Sequence, residues 1–150
     1  MRIKVVEQLL AKVGPDSPAV KDAKFRNFGH GAASIRKTAR ASIQRGPKEE
    51  RTGVRSRKGT RTRRATHKPA PAGQPVRTQR GAVKRAIQYA ADEQGALIGP
   101  VGSIMGESME PHEKGGSYMG ATYPQRAVMG PALEENAGRF ATDWADSIGE

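Results

Sequence analysis

His112 and Glu113 stand side by side, and a His-Glu-x-x-His helix would put two zinc ligands and a general base on one face. The pattern stops short. Gly116 takes the place of the second histidine, and Gly115-Gly116 would break the helix that this chemistry requires. The pair is therefore expected as polar residues of a strand or turn, with no metal. Glu107, Glu110 and Glu113 have no partnered histidine or second acid at a spacing suited to acid–base work. A glycine-rich phosphate loop followed by Lys-Ser/Thr and a Gly-x-Ser-x-Gly elbow are both missing. With no cysteine, disulfides and thiolate metal sites are excluded. The expectation is a protein without a catalytic set or a cofactor.

The chemistry that remains is that of fixed positive charge. Residues 45–85 carry fourteen Lys/Arg against two Asp/Glu. Residues 1–44 carry nine against three, and residues 86–150 carry three against ten, within a formal net charge of +11. A basic middle and an acidic end favour head-to-tail contact between copies, or contact with a polyanion. The candidate contact residues are Arg45, Arg51, Arg55, Arg57, Lys58, Arg61, Arg63, Arg64, Lys68, Arg77 and Arg80. Phosphate contacts made by such side chains weaken steeply with salt. No aromatic residue lies between Phe28 and Tyr89, so base stacking is not supported. Neither zinc-finger spacing nor a helix-turn-helix pattern stands out, which argues against sequence-specific recognition.

The elements that would position these groups are few. The chain has 150 residues, 35% of them hydrophobic and seven aromatic, which suits one modest core in a single domain spanning 1–150. Ile3, Val6, Leu10 and Val13 recur at helical intervals with Val5 and Leu9 beside them, although Arg-Ile-Lys-Val-Val could equally open as a strand. Ser17-Pro18 reads as a helix start. Phe25, Phe28, Ala32, Ile35, Ala39 and Ile43 then mark a long amino-terminal helix over about 18–44. Gly29 and Gly31 weaken that helix, and their expected use is close approach of another backbone or a bend around His30. From 45 to 80 the apolar pattern gives way to Gly, Pro, Thr and Arg. That composition predicts a basic, mobile arm.

Order returns with a short helical turn near Val83. An antiparallel hairpin follows over about 86–99, turning at Asp92-Glu93-Gln94-Gly95 and stopped by Pro100. Residues 101–111 read as a loop and a further strand is expected near 111–119. Pro124 biases Tyr123 towards an extended conformation. Arg126, in an acidic neighbourhood, is expected to pair with a carboxylate. Pro131 suits the first turn of a last helix with Ala132, Leu133, Ala137, Phe140, Trp144 and Ile148 along one side, and Glu134 and Glu135 near its start favour the helix dipole. The fold class expected is α+β. No apolar run reaches membrane-span length, and no sustained apolar region follows Arg2 and Lys4, so the chain reads as soluble and unexported.

The order of these pieces resembles the tail-completion, or tail-to-head joining, family of tailed bacteriophages. The matching strings are Thr78-Gln79-Arg80-Gly81-Ala82-Val83, Ile98-Gly99-Pro100, His112-Glu113-Lys114-Gly115-Gly116 and the passage from Tyr123-Pro124-Gln125-Arg126 through Met129-Gly130-Pro131-Ala132-Leu133. Ala127-Val128 stands where the family has a Pro-Phe pair, leaving Met129 or Tyr123 to fill that space. The resemblance implies a structural virion protein, assembled in the host cytoplasm and placed in the neck at the head–tail junction. It implies a homo-oligomeric ring, sixfold in preference to twelvefold, with portal-side connector proteins and the tail tube protein as partners. Packaged DNA in the channel is a further partner that the basic arm would suit. The other reading kept open is a non-specific nucleic-acid-binding protein acting through that arm.

Overall fold

The computed structural model describes residues 14, 17–49, 66, 67, 69–78 and 81–147. Within them the fold is α+β: a long amino-terminal helix, small antiparallel hairpins and a carboxy-terminal helix. Helix α1 runs Pro18–Ser42, with Pro18 at its first position and the Ser17 hydroxyl accepting from the Val20 N–H at 3.3 Å. That bond satisfies one of the donors a helix start leaves free. The expected stripe is partly corrected. Ala32, Ile35, Ala39 and Ile43 are buried, but Phe25 is 55% exposed. The buried face runs instead through Ala23, Asn27 and Gly31, each four residues from the next, which turns Phe25 outward.

Small residues on this face let the last helix, α5 (Met129–Ser147), lie close against α1. At Gly31 an added Cβ would stand 2.7 Å from Phe140 Cδ2, so the glycine admits an aromatic ring and not another backbone. Phe28 meets Phe140 and Trp144 at ring-centroid distances of 6.0 and 5.5 Å. Farther along, the Asn136 amide donates to Thr38 Oγ1 at 3.0 Å and ties the two helices together. The expected stripe on α5 also drifts: Ala132 is buried, while Leu133 is 55% exposed. Ile148 and the whole of 1–13 lie outside the described residues.

Beyond α1, strands β1 (Lys48–Glu49) and β2 (Thr66–His67) form a short antiparallel ladder. Arg45 bridges Thr78, whose N–H donates to the Gln44 carbonyl at 3.0 Å. Ala70, Val76 and Thr78 are buried, and Val76 belongs to the core. Of the arm expected over 45–80, residues 50–65, 68, 79 and 80 lie outside the described residues. Its return limb, 69–78, is joined to the body by backbone hydrogen bonds from Thr78 to Gln44 and from Gly73 to Gln125, which composition does not reveal.

Helix α2 (Ala82–Ala86) leads directly into strand β3 (Ile87–Ala91), which pairs antiparallel with β4 (Ala96–Pro100). Asp92 holds the turn, its Oδ1 accepting from the N–H groups of Gln94 and Gly95 at 2.8 and 2.9 Å. The predicted loop at 101–111 is instead helical: α3 (Gly102–Met105), a 3-10 turn (Gly106–Ser108) and α4 (Met109–Lys114). A strand does follow, but it is β5 (Gly116–Tyr118), paired with β6 (Ala121–Tyr123). Met119 and Gly120 join them with φ of 48° and 77°, the both-positive pair of a tight hairpin turn. The core draws Ile35, Ala39 and Ile43 from α1, Val76 from the limb and Val83 and Ile87 from α2–β3. Met109 comes from α4, Val128 precedes α5 and Ala132 lies within it.

Candidate functional site

The first four N–H groups of a helix have no partner within it. For α5 those positions are Val128, Met129, Gly130 and Pro131. The Glu113 carboxylate accepts from three of them: Val128 at 2.8 Å, Met129 at 3.0 Å and Gly130 at 2.8 Å. Proline, the fourth, has no N–H to satisfy. The next donor, Ala132, already reaches the Val128 carbonyl at 3.4 Å. A single side chain, fifteen residues upstream, thus completes the helix start, and its negative charge sits where the helix dipole favours it. Glu134 and Glu135, expected in that role, are exposed.

The lock is reciprocal. Helix α4 ends at Lys114, and Gly115 takes φ 77° to leave it. Two carbonyls of its last turn are met by the strand-to-helix passage. The His112 carbonyl accepts from the Arg126 N–H at 2.6 Å, and that of Glu113 accepts from Gln125 Nε2 at 3.1 Å. His112 and Glu113 are therefore helical, correcting the strand or turn expected of them. Gly115-Gly116 ends the helix just after them and does not prevent it. Lys114 pairs with Glu110 at 2.9 Å, which raises the lysine pKa and lowers that of the glutamate through their hydrogen bond and opposite charges.

The same passage holds the basic limb. Arg126 Nε donates to the Ala70 carbonyl at 2.6 Å, and the Gly73 N–H donates to the Gln125 carbonyl at 2.9 Å. Arg126 thus meets a backbone carbonyl where a carboxylate was expected; among the described residues it forms no ion pair. His112 lies against the edge of Tyr123 at 5.0 Å, and its buried Nδ1 has no hydrogen-bond partner. Burial, and then the neighbouring Arg126 charge, lower the His112 pKa from its ordinary 6.5. The gap expected from Ala127-Val128 is filled by Val128 itself, which is fully buried, with Met129 only partly so.

The other motif residues lie apart from this joint. Gly81 precedes α2 with φ 74°, Gly99 pairs with Gln88 inside the hairpin and Pro100 pairs with Ile87 at its end. Of the candidate cations, Arg45 is exposed and Arg77 half-buried, with Arg77 Nη1 3.5 Å from the Pro69 carbonyl. Arg51, Arg55, Arg57, Lys58, Arg61, Arg63, Arg64, Lys68 and Arg80 lie outside the described residues. Ala70 and Gly73 take part through backbone atoms, which carry no residue-type signal in the sequence. Among the described residues no group of three His, Asp or Glu is placed to hold a metal ion. No helix among them is long and apolar enough to cross a membrane. The chain matches no protein-family model, and searches of curated proteins and of solved structures return no similar protein or fold.

Proposed function

We propose that this protein is a structural, non-enzymatic virion subunit whose copies form a ring at the head–tail junction of a tailed phage, joining the DNA-filled head to the tail. The place rests on the order of motifs that ends in 112–133. The ring rests on the surface, and that observation carries the reading. Leu97 on β4, Met119 in the β5–β6 turn and Leu133 on α5 are 79%, 88% and 55% exposed. Among the described residues β3–β4 and β5–β6 are two-stranded, so their outer edges keep unpaired N–H and C=O groups. Such a subunit gains by meeting copies of itself, and heterologous contacts repeated about an axis close into a ring. Mass photometry and electron microscopy of the purified protein and of particles test this. Rings at the neck are expected; a monomer at high concentration that is absent from virions overturns the reading.

The fourteen Lys/Arg of 45–85 favour a second reading, non-specific nucleic-acid binding through the arm. Glu49 and Thr66 are cross-strand partners, so 50–65 can be replaced by a two-residue turn while the packed limb stays. Lost DNA retention with head–tail joining intact would favour the binding module. Failed joining with the body folded would favour the structural subunit.

A further inference from the structure

Between α1, β4 and α5 an open apolar groove of about 320 Å³ runs over Phe28, Ile35, Ile98, Leu133, Ala137 and Phe140. Its floor is aliphatic and aromatic, and its only side-chain amide, Asn136, is already spent on Thr38 and the Ala132 carbonyl. The groove therefore offers contact area without polar recognition, and an apolar stripe is what fits it. Resting on the ring reading above, we infer that residues 1–13 of a neighbouring copy occupy this groove.

Three observations choose that occupant. The first is pattern: Ile3, Val6, Leu10 and Val13 recur at the spacing of one helix face, and such a face spans about 15 Å at 1.5 Å per residue. On α5 the groove extends from Leu133 to Phe140, about 10 Å by the same rise, so the stripe covers it with one anchor to spare. The second is charge. Residues 1–13 carry Arg2, Lys4 and Lys12 against Glu7. The acidic residues next in sequence to the groove's lining on α5 and at the hairpin turn are Glu134, Glu135, Asp92 and Glu93, all exposed, while Arg139, beside Phe140, is paired with Asp143 at 4.0 Å. Arg36, from α1, is occupied over the Tyr89 ring at 4.6 Å.

The third is reach, and it decides between a chain's own segment and a neighbour's. Ser17 begins α1, and Ile35 lies eighteen residues farther on, about 27 Å along the helix. A helix made of 1–13 is about 20 Å long. Folded back from Gly14 along its own α1 as a helix, it would set Val13 near Val20 and Ile3 near His30, reaching only the Phe28–Gly31 end of the groove. Ile35 and Leu133 would stay uncovered. A neighbour's segment has no such tether and can seat centrally.

The chain has no cysteine, so introduced pairs report cleanly. Leu10→Cys with Ala137→Cys, and separately Val6→Cys with Leu133→Cys, are made in the full-length protein and oxidised, Ala137 and Leu133 both being exposed. Bridging requires Cα atoms within about 7 Å. A reducible ladder of covalent oligomers is expected from at least one pair, and Ala137→Glu placed in the Val6→Cys/Leu133→Cys protein should cut ladder yield at least fivefold. Intramolecular bridging alone would overturn the inference and assign the groove to the chain's own segment. No bridge from either pair would overturn it too. Mass photometry of the same samples separates this from the ring reading: rings without cross-links sink only the inference, whereas monomers sink the ring.

Discussion

Replacing Glu113 by alanine removes the acceptor for three N–H groups at the start of α5. A lost helix cap ordinarily costs about 0.5–2 kcal/mol, and a hydrogen bond to a charged group contributes about 1.5–3 kcal/mol. Because Glu113 is half-buried, water would replace part of what is lost. The net destabilisation is then about 2–4 kcal/mol. Trp144, the sole tryptophan, lies on α5 against Phe28 and Phe140, so its fluorescence reports whether that helix is docked. With a urea dependence of about 1.5 kcal/mol per molar, the midpoint should fall by roughly 2 M. Glu113→Gln keeps one oxygen but loses the charge and the second acceptor, and should fall about halfway. Glu110→Ala, three residues away and exposed, should leave the midpoint unchanged. If Glu113→Ala shifted it no more than Glu110→Ala does, the carboxylate would not be what starts α5 and the reasoning would be wrong.

Three further outcomes follow from the same contacts. Gly29→Ala, with no atom within 4 Å of the new Cβ, should raise the melting temperature, since alanine is better than glycine in a helix by about 1 kcal/mol. Gly31→Ala gains the same propensity but drives its Cβ into Phe140, so it should lower the melting temperature; equal effects from the two would refute the ring contact. His112 has a folded pKa below 6.5. The unfolded chain therefore takes up its proton first as the pH drops, and stability should be lost from about 6.5 downward until the folded pKa is passed. Urea melts at pH 7.5 and 5 should show a smaller pH difference in His112→Gln than in the wild type. Arg126→Ala frees the Ala70 carbonyl and should cost about 1–2 kcal/mol. Limited proteolysis should then cut within 69–78 several-fold faster, and an unchanged rate would mean that the limb is held elsewhere.

The parts legible in the sequence are those whose signals are local. Ser17-Pro18 starts α1 with its own hydroxyl. Asp92 and Gly95 make the turn of β3–β4 from their own atoms. Ala32, Ile35, Ala39 and Ile43 are buried as their spacing predicts. What failed depends on partners far along the chain. His-Glu before Gly-Gly looks like a broken helix motif, yet the glutamate finds N–H groups fifteen to seventeen residues on, and no local pattern announces that. The β5–β6 turn uses Met119 at φ 48°, where an Asn-Gly signal would have been readable. The limb at 69–78 has too few apolar residues to register, but hydrogen bonds to Gln44, Gln125 and Arg126 hold it.

These contacts divide the protein by how it is held. Around Glu113 and Arg126 the chain is fastened to itself from both directions, so the angle between hairpin and last helix is fixed. Leu97, Met119 and Leu133 are left largely uncovered, and fully burying such side chains would supply about 1.5–3 kcal/mol each. One such side chain falls short of an association cost of about 4–15 kcal/mol. A dimer of these subunits should therefore be weak. In a closed ring the last subunit makes two contacts while paying that cost once, so closure adds an interface with little further loss of freedom. If copies form the proposed ring, a rigid joint makes closure achievable, because every copy must then present its two faces at the same angle. Loosening the joint should thus reduce ring formation at protein concentrations where each subunit is still folded, and mass photometry of Glu113→Gln would show that as a loss of closed rings in favour of monomers and short open chains.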